Sequence, residues 1–125
     1  MTITTLPSPP YKRGDVVLVL FPDSNLRTAK TRPALIVQAD QLQTGLPQVI
    51  VAMITSQMLR AGHPSRVKIL RSTVEGQQSG LLTDSVVMTD NLATVIESAI
   101  NRVVGSLPMT EVEGAIRHTF GLYNL

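Results

Sequence analysis

Apolar positions in this chain come in short runs rich in β-branched residues. Asp15 to Phe21 (DVVLVLF), Pro33 to Ala39 (PALIVQA) and Gln48 to Ile54 (QVIVAMI) are apolar at almost every position, which predicts strands covered on both faces. Ser65 to Leu70 alternates Val67 and Ile69 with Arg66 and Lys68, the pattern of a half-exposed strand. Ser85 to Thr89 and Ser98 to Gly105 supply two more. Between the runs lie turn-forming clusters: Pro22-Asp23-Ser24-Asn25, Gly45-Leu46-Pro47, Gly62-His63-Pro64 and Glu75-Gly76-Gln77. Short strands at this spacing predict a closed or nearly closed antiparallel barrel.

From Leu107 the period changes. Val112, Ala115, Ile116, Phe120 and Tyr123 recur at helical spacing, Pro108 suits a first turn, and Thr110-x-x-Glu113 has the form of a capping box. The fold class is therefore mainly β, a small antiparallel barrel with a C-terminal α-helix. No repeat or second domain appears: residues 11–125 read as one domain, and the Pro- and Thr-rich residues 1–10 as a flexible tail. With 125 residues, 43% hydrophobic and only 16% charged, so small a chain leaves apolar surface uncovered, and a homo-oligomer is expected.

The net charge is only +2, but its distribution is uneven. Residues 1–71 hold nine Lys/Arg against three Asp/Glu, or +6; residues 72–125 hold two against six, or −4. A basic face for a polyanion and an acidic face elsewhere fit that division, as does plain solvation of strand ends. Cysteine is absent, which excludes disulfides, thiolate nucleophiles and sulfur-built zinc sites. No apolar run approaches a membrane span and no signal-peptide pattern opens the chain, so no membrane association and a cytoplasmic location are expected.

Few residues are left to carry chemistry. His63 and His118 sit on different elements, and a two-imidazole nuclease is not expected from them. The acidic residues form no metal-binding motif, and no phosphate-binding glycine loop or nucleophile elbow is present. Two places remain. Arg32 precedes Pro33, which holds it in extended geometry, and its planar fork of donors suits a phosphate; an ordinary salt-bridged arginine is the plainer reading. Thr55-Ser56 ends the most apolar strand, where paired hydroxyls would stabilise a developing oxyanion or simply cap the strand.

Read in order, these pieces resemble the MazF/PemK toxins. Arg13-Gly14-Asp15-Val16-Val17 looks like the family's first strand, and Thr31-Arg32-Pro33-Ala34-Leu35-Ile36-Val37 like its Arg-Pro signature. Val49-Ile50-Val51-Ala52-Met53-Ile54-Thr55-Ser56 is similar to its Thr-Ser segment. Ser85-Val86-Val87-Met88-Thr89-Asp90-Asn91-Leu92 looks like its next strand, and Gly105-Ser106-Leu107 introduces its terminal helix.

The resemblance implies an SH3-like barrel acting as a homodimer, and a toxin of a type II toxin–antitoxin system. Such a toxin cleaves single-stranded RNA at short sequences, without metal or other cofactor, to 2′,3′-cyclic phosphate and 5′-hydroxyl ends. It also implies an antitoxin partner whose disordered acidic tail crosses the basic groove. By the same carry-over Arg32 and Thr55 are catalytic, Ser56 and Asp90 are supporting or RNA-binding, and the loop cations Arg27 and Lys30 add phosphate contact. The loop before Arg32 lacks the family's usual glutamate, Met53 stands where proline is frequent, and Met88 stands where the PemK branch has arginine. With four Phe/Tyr and no Trp, base reading is expected to rely on hydrogen bonds more than stacking. A non-catalytic barrel that binds protein or nucleic acid, and a CcdB-type gyrase poison, are the alternatives.

Overall fold

A computed structural model describes residues 11–122. Six strands, β1 (Asp15–Pro22), β2 (Ala29–Ile36), β3 (Gln48–Thr55), β4 (Arg66–Ile69), β5 (Ser85–Ile96) and β6 (Ile100–Ser106), form one antiparallel sheet in the order β4-β5-β3-β2-β1-β6. The sheet curls without closing. β1 approaches β5, although two strands separate them in the ladder, while β4 and β6 remain as edges. Edge β4 is only four residues long, with Arg66 and Lys68 turned outward from it. Such short, charged edges discourage pairing with another sheet.

Alternation of side chains across the curled sheet makes two apolar clusters, one on each face. The inner cluster gathers Val17, Val19, Phe21, Ala34, Ile36, Val49, Val51, Met53, Val86 and Met88. The outer one takes the alternate positions, Val16, Leu35, Ala52, Ile54, Val67, Ile69 and Val87, and is covered by Val112 and Ala115 of the terminal helix α2 (Thr110–Phe120). This is why the central strands are apolar at nearly every position: both faces are buried. β2 departs from that pattern, because only its last three residues are fully buried.

Several expectations need correction. β2 begins four residues before Pro33 and ends at Ile36, and β5 runs on to Ile96. The Glu75-Gly76-Gln77 segment is not a turn but the middle of a short helix, α1 (Val74–Gln78), capped by Thr73, whose Oγ1 accepts from Gly76 N at 3.0 Å. The capping box does not form. Met109 is the N-cap of α2, so Thr110 is already inside the helix, and Glu113 pairs with Arg13 at 3.3 Å. Gly121, at φ 69°, ends α2 in the left-handed conformation that suits glycine. The expected tail at residues 1–10, and Tyr123 of the helical pattern, lie outside the described residues. No helix among those described is long and apolar enough to cross a membrane.

β5 is interrupted where the sheet needs to bend. Ala52 of β3 pairs with Leu92, but the next residue, Met53, pairs with Met88, so Thr89, Asp90 and Asn91 bulge out between them. The bulge is pinned by Thr89, which is fully buried. Its N–H and hydroxyl both donate to the Ser65 carbonyl, at 3.0 and 2.6 Å, and its Oγ1 lies 2.7 Å from Thr119 Oγ1 on α2.

Candidate active site

The β2–β3 ladder has only three rungs, Ala34 with Met53, Leu35 with Ala52 and Ile36 with Val51. It stops beside Pro33, which has no N–H with which to extend it. Beyond that point β2 stays with β1 as far as Ala29, while β3 stays with β5 as far as Thr55, so the two strands part. Two positions beyond the last rung, where the strands have parted, stand Arg32 on β2 and Thr55 on β3. Both also face the inner cluster's side of the sheet, since Arg32 pairs with Val19 and Thr55 with Val86. The two residues marked by the Arg-Pro and Thr-Ser signatures thus flank the gap.

That gap opens into a cleft of about 460 Å³. Thr31, Arg32 and Pro33 form one wall; Met53 to Gln57, including Thr55 and Ser56, form the other. Leu18, Arg102 and Val104 line it from β1 and β6, and the 80–83 loop with Ser85 completes it. Gly80 lets that loop in. At φ +72° a Cβ there would collide with the Val104 carbonyl, so only glycine seats the loop against β6. A wider hollow of about 1030 Å³, lined by Tyr11 to Arg13 and residues of the 38–48 segment, contains neither Arg32 nor Thr55.

Arg32 is held by a residue the sequence did not single out. Its Nη2 lies 2.6 Å from Asp23 Oδ1 in the β1–β2 turn, and Asp23 Oδ2 accepts from Thr28 Oγ1 at 2.6 Å. Hydrogen bonds from the Thr28 hydroxyl and then from Arg32, with Lys30 adding to the field, hold the Asp23 carboxyl below the ordinary carboxylate value. Arg32 Nε is buried without a partner. The guanidinium therefore has one corner anchored and one strong donor unspent.

The supporting residues divide. Ser56 lines the cleft. Asp90 does not: it sits on the β5 bulge, paired with Arg66 at 2.9 Å, and that hydrogen bond is the main cause that lowers its carboxyl. Arg27 and Lys30 are exposed on the turn and the start of β2, outside the cleft lining. Met88, in the place where the PemK branch has arginine, is buried in the inner cluster, and its sulfur accepts from Arg60 Nη1 at 3.5 Å. The two histidines, placed on different elements by the sequence, come together edge to face with ring centroids 6.1 Å apart, but neither lines the cleft. Among the described residues no three His, Asp or Glu side chains gather as a metal site.

Sequence reasoning missed Asp23 and Arg102. Asp23 reads as one more turn residue. Arg102, between Asn101 and Val103 on an edge strand, carries no signal apart from its charge.

Comparison with known proteins agrees with this geometry. Residues 12–120 match the family described as PemK-like, MazF-like toxin of type II toxin–antitoxin system. An endoribonuclease MazF of Staphylococcus saprophyticus is 31% identical over 118 residues, covering 91% of this chain and 94% of that protein. The solved toxin MazF-mt6 of Mycobacterium tuberculosis is 26% identical, with a TM-score of 0.64 over 86% of this chain and 96% of that one. A mycobacterial endoribonuclease solved with its cognate antitoxin is 23% identical and shares the fold, with a TM-score of 0.67 over 90% and 96% of the two chains.

Proposed function

This chain belongs to the family of PemK-like, MazF-like toxins of type II toxin–antitoxin systems, endoribonucleases by activity, and we propose that the cleft between β2 and β3 is its RNA-cleaving site. The observation that carries the reading is the cleft that Arg32 and Thr55 both line where β2 and β3 part. The substrate is single-stranded RNA, cut at short sequences.

In this scheme the 2′-oxygen attacks the adjacent phosphorus, the bond to the 5′-oxygen breaks, and the products are a 2′,3′-cyclic phosphate and a 5′-hydroxyl. No metal is required for that displacement. Arg32 stays protonated at any working pH and so serves as donor, not base. Its unspent Nε–H and the Thr55 hydroxyl donate to phosphoryl oxygens as negative charge builds on them. Thr55 is only 7% exposed, so its hydroxyl acts from a fixed position with little water to compete. Ser56, the next residue along the wall, assists as a further hydroxyl donor. Arg27 and Lys30 attract the backbone from outside the cleft, and Asp90 supports the barrel through Arg66 and takes no part in the reaction.

The partner is an antitoxin, as in the mycobacterial complex, and its acidic segment occupies the same basic region as the RNA. The working form is a homodimer in the cytoplasm.

Incubating the purified protein with a long single-stranded RNA in excess EDTA tests this. Cleavage at a few sites with 5′-hydroxyl ends is expected, together with a loss of about a hundredfold or more in Arg32→Ala and Thr55→Val, the scale of removing one transition-state donor. Intact RNA with folded wild-type protein rejects the site. Cleavage that survives both substitutions moves the chemistry elsewhere.

A further inference from the structure

Among the described residues two cations line the cleft, and they are in different electrostatic states. Arg32 is already neutralised by Asp23 at 2.6 Å. Arg102 has no ion pair or hydrogen bond to its side chain among the described residues, and it is exposed. Its direction follows from register. Arg102 sits directly across from Leu18 on β1, and Thr31 across from Leu20. These positions share one face of the sheet, and Leu18, Thr31 and Arg102 all line the cleft. Arg32, across from Val19, rises from the opposite face. Because both side chains nonetheless line the same cleft, an RNA strand that places one phosphate at Arg32 and follows the cleft toward β6 meets a second, uncompensated guanidinium.

The surroundings suit a sugar–phosphate chain. Among the described residues no aromatic side chain lines the cleft, so bases find no stacking platform there, whereas Thr31, Ser56, Thr83 and Ser85 offer hydroxyls. The position of the β6 wall is set by two close backbone approaches. Gly80 rests against the Val104 carbonyl and Gly105 against the Ser79 carbonyl, which presses the 79–83 loop onto β6 just past Arg102. Arg102 is thus an exposed side chain on a backbone held by close contacts, a good arrangement for capturing a flexible polyanion.

We propose that Arg102 anchors a second phosphate subsite in the cleft, holding the RNA backbone away from the phosphate that reacts at Arg32. The inference rests on the reading of the cleft as the ribonuclease site. In that division Arg102 supplies binding, whereas Arg32 supplies transition-state contact.

Single-stranded DNA lacks the 2′-hydroxyl and so probes binding without cleavage. Its affinity for wild type, Arg102→Ala and Arg102→Lys is measured across a salt series. Arg102→Ala is expected to bind about fivefold more weakly near 0.1 M salt, with the slope of log affinity against log salt reduced by about 0.7, one single-strand phosphate contact. Arg102→Lys keeps the charge and should retain that slope. With long RNA, Arg102→Ala raises KM and leaves kcat within about twofold, the reverse of Arg32→Ala. Wild-type affinity and salt slope in Arg102→Ala overturn the subsite. If wild-type protein leaves RNA intact, the active-site reading fails, and the DNA titration still decides whether Arg102 holds a phosphate.

Discussion

Two arginine–aspartate pairs on this sheet look alike but stand in different surroundings. Asp23 and Arg32 join the β1–β2 turn to β2 at 2.6 Å; Asp90 and Arg66 join the β5 bulge to β4 at 2.9 Å. In each the carboxyl is held below its ordinary value by hydrogen bonding, and in each both partners are partly exposed. The difference lies in what surrounds them. Arg32 stands where two strands part and a cleft opens, with a buried Nε left without a partner. Arg66 stands beside a bulge already closed by Thr89, and it also donates to the Arg60 carbonyl at 3.2 Å. A paired arginine is available for chemistry only where the fold leaves room and an unspent donor beside it.

Removing the two arginines breaks the comparison most sharply. Arg32→Ala is expected to reduce RNA cleavage by about a hundredfold or more, while Arg66→Ala stays within about threefold, measured side by side in EDTA. Equal losses would make both pairs structural. The carboxylates should differ by less. Asp23→Ala releases the Arg32 guanidinium and is expected to lower kcat about tenfold without raising KM, because the site also loses an anion that repels RNA. Asp90→Ala should leave both constants within about twofold; a matching loss there would return Asp90 to the site.

Stability sharpens the contrast from the other side. Thr89→Val keeps the shape of the bulge and removes the hydroxyl that donates to Ser65 O, at a cost of about 1 kcal/mol, or several degrees in Tm. Thr28→Val, at the exposed turn, should change Tm by less than half as much in the same melting experiment.

The smallest effect is on acid stability. Both carboxyls ionise below their ordinary value of 3.8 in the folded chain and return to it on unfolding. Their contribution is therefore whole at neutral pH and fades as pH falls below about 4 through the lowered folded values. Melting curves from pH 5 downward should show Asp23→Asn and Asp90→Asn each less acid-sensitive than wild type. An unchanged acid profile in either variant removes that carboxyl from the balance.

The strand count, the terminal helix and the two strand ends that carry Arg32 and Thr55 were legible in the chain because each is written locally. Doubly covered strands are apolar throughout, the helix changes the period, and two short signatures mark those ends. The capping box was misread because Glu113 pairs with Arg13, 100 residues away. That Asp90 stands outside the cleft could not be read from motif order, which says nothing of a bulge that turns three residues out of the ladder.

The sequence by itself determined a small β fold ending in a helix. Only the tertiary structure decided that Asp23 holds Arg32, that Arg102 shares the cleft and that Asp90 leaves it. The reason is physical: apolar period and turn chemistry act over a few residues, whereas register and the parting of β2 from β3 arise only when separate segments pair. Charges meet according to that pairing, not according to their spacing along the chain.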